Sequence, residues 1–481
     1  MCKKSDANYG SAIYGGAVYG EESPIAAFAT VPGNSALSVI RCSGKGAIET
    51  AASIFSAPEK LKNAQGNTVI HGWIVNAGEK IDEALVSVFR APKSYTGEDS
   101  LDISCHGGSA AGKAVIDALK SSGFRGALPG EFTFRAFMNG KLDLTRCESV
   151  MELVSAKTDT GRSHAVTRLS GSLYSEVDEI KKLLVSVLSG AEIYLDYSED
   201  EISAGFDAGA SDEIAGRLPN KETALKVLAR LKKLQASWRI ERIYQEGVSV
   251  VIAGRPNAGK SSIFNLILKE DRSIVTEIPG TTRDWIEAWV NIEGIPVRLV
   301  DTAGLRDSGD SVEKIGVERS LKILQEADIV LYLIDGEQGV TAEDIEFMKR
   351  GERCIFAWNK TDISPVIQPP EFADNIISVS ARTGEGLNDL YAAIISAVKP
   401  ETPEGIFGEP AVSIGTVRQK NLVDDACRAL EEALTLAEKE EPLDIIAPLL
   451  REAVNALGEI TGEVSTADIL EEMFSRFCVG K

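Results

Sequence analysis

The sequence predicts a multidomain protein: an α+β N-terminal domain, an all-α domain in two discontinuous parts, and an α/β domain inserted between those parts. Three observations predict it. Short β-like runs separated by turn residues fill the chain from Pro24 to about Lys141. Helical periodicity takes over from Leu142 and returns after Pro400 and Pro403. Between Gly247 and about Lys399 strands alternate with helices, the pattern of a mainly parallel sheet with crossover connections. The expected boundaries are 1–23 for a flexible Gly/Tyr/Ser tail, 24–141, 142–246, 247–399 and 400–481.

In the first domain the runs PIAAFAT, ALSVIR, TVIHGWIV, ALVSVF and LDISCH read as strands, and Ala110 to Lys120 as a helix. In the helical region Leu184, Val187, Leu188, Ala191 and Leu195 recur at helical spacing, as do Leu228, Leu231 and Leu234. The acidic stretch SEDEISAGFDAGASDE between them reads as a loop. In the α/β region strands are expected at Val248–Ile252, Val297–Val300, Ile329–Ile334, Cys354–Trp358 and Ile376–Val379. Near the end Ile446, Leu449, Leu450, Ala453, Val454 and Leu457 line one helical face. Neither helical half buries its own apolar stripe, so the two halves are expected to pack together.

Composition narrows the function. The 481 residues carry 72 Asp and Glu against 51 Lys and Arg, a net charge of −21. That balance argues against nucleic-acid binding by the whole surface, though not against a local basic groove. Seven scattered cysteines without metal spacing read as free thiols of a reducing cytoplasm. Three histidines leave little material for a histidine-based hydrolase or metal centre. No apolar run approaches the roughly 20 residues of a membrane span, and the first residues lack a signal-peptide core.

The chemistry begins in Val248–Ser262, VSVVIAGRPNAGKSS. An apolar run breaks into G-x-x-x-x-G-K-S and a helix-like segment follows, the context of a phosphate-binding loop. Glycines let backbone N–H groups turn inward, and the next helix adds its positive end. Lys260 reaches terminal phosphates and the Ser261 hydroxyl can ligate Mg²⁺. Three motifs follow in the order a GTPase requires. Gly280-Thr281-Thr282-Arg283-Asp284 offers Thr282 as the second Mg²⁺ hydroxyl. Asp301-Thr302-Ala303-Gly304 supplies a carboxylate to hold Mg²⁺ through water and a Gly304 N–H for the γ-phosphate. In Asn359-Lys360-Thr361-Asp362 a carboxylate can accept both the ring N–H and the exocyclic amine of guanine, so Asp362 selects GTP over ATP. Ser380-Ala381-Arg382 adds a backbone contact to the base oxygen. Any one short motif is an ordinary turn; four in order at strand ends are specific. Leu305 stands where Ras-like enzymes carry a water-orienting glutamine, so another group must position the water, and Glu313 is the candidate.

These stretches, with SYTGEDSLDISCHGG (94–108), PGEFTFRAFMNGKLDL (129–144), PGTTRD (279–284), DTAGLR (301–306) and the terminal FCVGK (477–481), resemble the MnmE (TrmE) family of tRNA modification GTPases over about Pro24 to Lys481. The resemblance implies a folate-binding N-terminal domain, a discontinuous helical domain and an inserted Ras-like P-loop GTPase domain, in a homodimer. It implies potassium-dependent hydrolysis of GTP with Mg²⁺, with K⁺ held by Asn257, Thr276, Ile278 and Thr281, and with Glu313 as the catalytic residue. Nucleotide contacts are expected at Asn257, Ala258, Gly259, Lys260, Ser261 and Ser262, then at Thr276, Glu277, Ile278, Pro279, Gly280, Thr281 and Thr282. Further contacts are expected at Asp301, Thr302, Ala303 and Gly304, and at Asn359, Lys360, Thr361, Asp362, Ser380, Ala381 and Arg382.

By the same resemblance, 5-formyltetrahydrofolate or a related folate would meet Arg41, Asp102, Lys141 and Lys481. Arg and Lys suit the folate's carboxylates and an acid suits the pterin's donor edge. Family members often carry Glu where this chain has Asp102, which is one carbon shorter. Cys478 is either a nucleophile, with Lys481 as a nearby cation, or part of a terminus read for shape and charge. The family works with an FAD-dependent partner of the MnmG/GidA type on C5 of the wobble uridine, position 34 of certain tRNAs. It adds an aminomethyl or carboxymethylaminomethyl group there. A ribosome-assembly GTPase explains residues 247–399 but not the first domain or FCVGK, and a folate-responsive GTP-binding scaffold fits Leu305.

Overall fold

The computed structural model describes residues 13–14, 17–18, 23–31, 33–196, 218–270, 286–301, 324–349, 353–364, 376–398 and 412–481. The expected acidic loop, SEDEISAGFDAGASDE (198–213), lies outside them. Of the expected N-terminal tail, the described residues form a minimal antiparallel pair, β1 (Ile13–Tyr14) and β2 (Ala17–Val18). The chain divides into two compact units: 1–151 with 174–224 and 428–481, and 152–173 with 225–427.

The first unit holds a six-stranded sheet of order β5-β6-β7-β4-β3-β8. Its strands are β3 (Ile25–Phe28), β4 (Leu37–Ser43), β5 (Thr68–Asn76), β6 (Glu79–Phe89), β7 (Ser100–His106) and the two-residue β8 (Arg125–Gly126). Side chains alternate across the pleat. On β6, Ala84, Val86 and Val88 are buried while Glu83 and Leu85 are exposed. The buried side forms one core with Ile48 and Ala51 of α1 (Ala47–Ala52), Leu61 of α2 (Pro58–Lys62), and Val115 and Leu119 of α3 (Ser109–Ser122). The other side leaves Leu37, Val69 and Leu85 in solvent.

A second core anchors the C-terminus. Helix α4 (Glu131–Met138), within the PGEFTFRAFMNGK stretch, presents Phe134 and Phe137 to Leu470, Phe474 and Phe477 at the chain's end. The Phe134 and Phe474 rings meet edge to face at 5.4 Å. Helices α5 (Leu144–Ser155), α6 (Asp159–Leu169), α7 (Ser172–Asp196) and α8 (Lys221–Glu246) follow. Within this unit α7, from the first helical part, packs with α13 (Leu443–Thr461), from the second; α6 and most of α8 belong to the second unit. Arg451 of α13 pairs with Glu192 of α7 at 2.6 Å, and Lys181 pairs with Glu463. Leu184, Val187 and Ala191 are buried as their spacing predicts, but Leu195 is exposed, because it sits in the last described turn of α7 beyond the packed stripe.

The second unit carries a six-stranded sheet of order β10-β11-β9-β12-β13-β14. The five expected strands appear as β9 (Val248–Gly254), β11 (Ile295–Asp301), β12 (Ile329–Asp335), β13 (Cys354–Asn359) and β14 (Ile376–Ser378), all parallel. The sequence reading missed β10 (Ile286–Ile292), an antiparallel edge strand. All seven residues of β12 are buried, as a central strand covered on both faces requires. One face packs on Ile263, Phe264 and Ile267 of α9 (Lys260–Glu270) and Leu390 and Ile394 of α11 (Leu387–Val398). The other packs on α10 (Ala342–Met348) through Phe347 and Met348. Helices α12 (Val417–Glu438) and α14 (Ala467–Ser475) complete the described elements.

Candidate functional site

The phosphate loop forms where β9 ends and α9 begins. Asn257 adopts φ 65° and Gly259 φ 94°, and α9 starts at Lys260. A Cβ on Gly259 would fall 2.1 Å from Asn359 Nδ2, so no other residue fits there. Lys260 Nζ donates to the carbonyls of Gly254 at 3.1 Å and Arg255 at 2.9 Å, spanning the loop it would share with phosphate. The Ser261 hydroxyl donates to Asp301 Oδ2 at 2.7 Å. Two groups assigned to one metal shell from motifs 40 residues apart are thus in direct contact.

The base end is built on the neighbouring strand ends. Buried Asn359 donates from Nδ2 to the Ala258 carbonyl at 2.7 Å and accepts at Oδ1 from the N–H groups of Lys360 and Ala381 at 2.9 and 3.0 Å. It ties the phosphate loop to both segments expected to contact the base. The Ser380 hydroxyl donates to Asp362 Oδ1 at 2.7 Å, orienting that carboxylate, and Arg382 approaches its other oxygen at 3.8 Å. Lys360 pairs with Glu337 at 2.9 Å and Asp335 at 3.0 Å. The bond to Glu337 leads in holding its ammonium above the ordinary lysine pKa, against partial burial and with Asp335 adding to it. Sequence reasoning missed Asp335 and Glu337; their place at and just after the end of β12, at the sheet's ligand edge, was the available signal.

Thr276, Glu277, Ile278, Pro279, Gly280, Thr281, Thr282, Thr302, Ala303, Gly304, Leu305 and Glu313 lie outside the described residues. Of the expected potassium ligands only Asn257 is described.

In the first unit Arg41 and Asp102 face each other across β4 and β7, with Arg41 Nε donating to Asp102 Oδ1 at 3.2 Å. Arg41 Nη1 also reaches the Gly480 carbonyl at 3.5 Å, which brings the terminal tail to the pair. Gly480 takes φ 99°, and a Cβ there would meet the Phe28 carbonyl at 2.2 Å. Lys141 Nζ donates to the Pro92 carbonyl at 3.0 Å, on the loop whose Tyr95 ring lies 5.6 Å from the Arg41 guanidinium. Cys478 is exposed, and its carbonyl accepts from the N–H groups of Gly130 and Lys481. The sequence reading passed over the charges beneath. Arg135 bonds Glu98 at 3.3 Å and buried Glu131 at 3.0 Å, and Glu131 also pairs with Arg125. Glu98, Glu131 and Arg135 lie inside the motif stretches 94–108 and 129–144, which was their only signal, and Arg125 lies outside both.

A strand, a phosphate loop closed by Lys260 and Ser261, an Asp301 in contact with that serine, and an NKTD turn locked to the loop define a P-loop GTPase. The rest of the chain carries the assignment further. Residues 24–141 match the family described as the N-terminus of GTP-binding protein TrmE, and 144–478 match the MnmE helical domain. The tRNA modification GTPase MnmE of Treponema denticola is 44% identical over 95% of this chain and 98% of its own length. That of Carboxydothermus hydrogenoformans is 39% identical over 96% of this chain and 100% of its own. The G domain of the T. maritima FeoB iron transporter is 28% identical over 32% of this chain and 99% of that one, with a TM-score of 0.25, too low to add to the assignment. The chain belongs to the MnmE family of tRNA modification GTPases, and is a GTP-hydrolysing enzyme of tRNA modification.

Proposed function

We propose that this enzyme couples potassium-dependent GTP hydrolysis to the addition of an aminomethyl or carboxymethylaminomethyl group at C5 of the wobble uridine, position 34, of certain tRNAs. The contact between Ser261 and Asp301 carries the GTPase half of the reading, because it places a hydroxyl and a carboxylate of the right kinds beside the phosphate loop. Both donors suit Mg²⁺, which would be held by Ser261 and Thr282, with Asp301 acting through water. Asn257, at the mouth of the loop, would hold K⁺ with Thr276, Ile278 and Thr281; such a cation neutralises charge developing on the phosphates. Glu313 would position the attacking water in place of the missing glutamine.

The N-terminal domain would bind the folate that supplies the one-carbon unit. Arg41, Lys141 and Lys481 are the cations for its carboxylates, and Asp102 the acceptor for its pterin. In the structure Asp102 is already paired with Arg41, so folate binding would exchange that ion pair for ligand contacts. Cys478, exposed in the docked tail, is open to a part in the modification. Two copies would pair, and the open sheet face with Leu37, Val69 and Leu85 offers apolar area for it. An FAD-dependent subunit of the MnmG/GidA type would complete the reaction and much of the tRNA contact, in keeping with the net charge of −21. We place the enzyme in the cytoplasm with its tRNA; among the described residues no helix is long and apolar enough to cross a membrane.

Mass spectrometry of tRNA nucleosides tests the reading in a strain lacking the endogenous modification GTPase. The intact chain should restore the modified wobble uridine and Asp301→Asn should not. Unmodified uridine with the intact chain, present in folded form with its partner subunit, would favour the ribosome-assembly or scaffold alternative.

A further inference from the structure

Strands β10 and β11 form a hairpin whose open end carries Asp301. The ladder is unbroken from Ile286 opposite Asp301 to Ile292 opposite Ile295, with the turn at Glu293 and Gly294. The strand thus runs unbroken from the turn, roughly 20 Å at ~3.3 Å per residue, to the carboxylate that accepts from Ser261.

The hairpin is held at its middle by the loop before α6 and at its turn by that helix's first turn. Lys157 Nζ sits 3.5 Å from the centroid of the Trp289 ring on β10. A Cβ on Gly294 would fall 2.5 Å from Thr160 Oγ1, and one on Gly247 would fall 2.7 Å from Trp289 Cζ3. Trp289 is thus seated between a lysine and the joint that leads from α8 into β9. Opposite it across the ladder stands Arg298, which reaches Ser249 on β9 at 3.3 Å. Burial, and then the charge of Arg298, push the Lys157 ammonium below its ordinary pKa, so the lysine is held over the ring at a cost in solvation and repulsion.

Helix α6 is itself fixed from inside. Arg168 is fully buried and bonds Glu152 at 2.7 Å, Glu241 of α8 at 2.7 Å and Ser413, in the segment that follows the sheet, at 2.8 Å. Helix α6, whose first turn meets the hairpin, is thus joined through Arg168 to the chain both before and after the sheet.

We infer that Trp289, seated under Lys157, is a positioning residue for GTP hydrolysis: the pair sets the register of the β10–β11 hairpin and so the placement of Asp301 against Ser261. A cation over an indole face has the strength and direction to do this, and it acts through Asp301 without touching the nucleotide. The inference rests on the reading of Asp301 as part of the nucleotide site.

The experiment uses the full chain with Lys157→Met, Trp289→Leu and Trp289→Phe, and with Asp301→Asn alongside. For Lys157→Met and Trp289→Leu, kcat for GTP should fall about tenfold while KM and the affinity for a fluorescent GDP stay within about twofold. The melting midpoint should not move, and Trp289→Phe, which keeps a ring for the lysine, should recover most of the rate. Unchanged kcat in both folded variants overturns the inference. So does a loss that tracks the melting midpoint and GDP affinity, which is ordinary packing, or a loss seen with Trp289→Leu alone, which removes Lys157 from the device. If Asp301→Asn turns over GTP like the parent, the reading of Asp301 itself fails. If it is inactive while the Trp289 and Lys157 variants are normal, only the link to the hairpin fails.

Discussion

Asn359 Nδ2 lies 2.7 Å from the Ala258 carbonyl, joining the end of β13, where the NKTD motif begins, to the GRPNAGKS loop. A buried amide that serves three backbone groups cannot be shortened without leaving them unsatisfied. Asn359→Ala is expected to weaken GDP and GTP alike by about 10- to 100-fold, the ~1–3 kcal/mol of such losses. Equilibrium binding of both nucleotides checks it. A selective loss of GTP would place Asn359 at the γ-phosphate instead.

Asp362, oriented by Ser380, should control which base is bound. Guanine presents two donors to its carboxylate. Xanthine presents a carbonyl where guanine has its amine. Asp362→Asn should therefore lose GTP affinity by about 100-fold or more and gain xanthosine triphosphate, because one oxygen that accepted is replaced by an amide that donates. Competition between the two triphosphates measures the exchange.

The tail docks by backbone fit as much as by side chains. Gly480 has a left-handed φ and no space for a Cβ against Phe28. Gly480→Ala should dislodge the last residues, with wobble-uridine modification reduced about tenfold or more and kcat for GTP changed less than about twofold. Nucleoside analysis and GTPase assays on the same preparation separate the two. Equal loss of both would mean that the tail matters to the GTPase domain directly.

The buried ion network predicts a pH response. Burial alone would raise the Glu241 carboxyl, but the hydrogen bond with His164 and the charge of Arg168 outweigh it and bring its pKa down to about 2. A folded pKa below the unfolded one contributes stability above the ordinary carboxylate range and loses it as pH falls from 4.5 toward about 2. The melting midpoint should thus decline on that acid limb, and Arg168→Met, which strands two carboxylates, should cost roughly 3–5 kcal/mol at neutral pH. Thermal denaturation across pH reads both. A flat acid limb in the parent protein would contradict the assignment.

The parts legible in the sequence are those that local chemistry dictates. GRPNAGKSS declares its own backbone, since glycine spacing and the following helix leave one way to fold. The buried strand β12 announces itself as a near-continuous apolar run, and β9 as one interrupted only by Ser249 before its glycine. β10 does not: IEAWVNI comes one residue after the GTTRD motif, and as an edge strand it lacks a continuous apolar run. The Arg168 network was illegible for another reason. Its partners Glu152, Glu241 and Ser413 are dispersed along the chain, and each alone reads as a surface residue. At the proposed folate site Arg41 and Asp102 followed only from family resemblance; their pairing across β4 and β7 is a matter of strand register.

The most direct test of the central claim is steady-state GTP hydrolysis by the purified chain in K⁺ and then in Na⁺ at equal ionic strength. A K⁺-specific acceleration of about tenfold or more, lost on Asn257→Ala, is the predicted result, as expected when a cation bridges the phosphates in place of an arginine. Equal slow rates in both salts, unaltered by Asn257→Ala, would contradict it and leave a GTP-binding switch that needs an external activator.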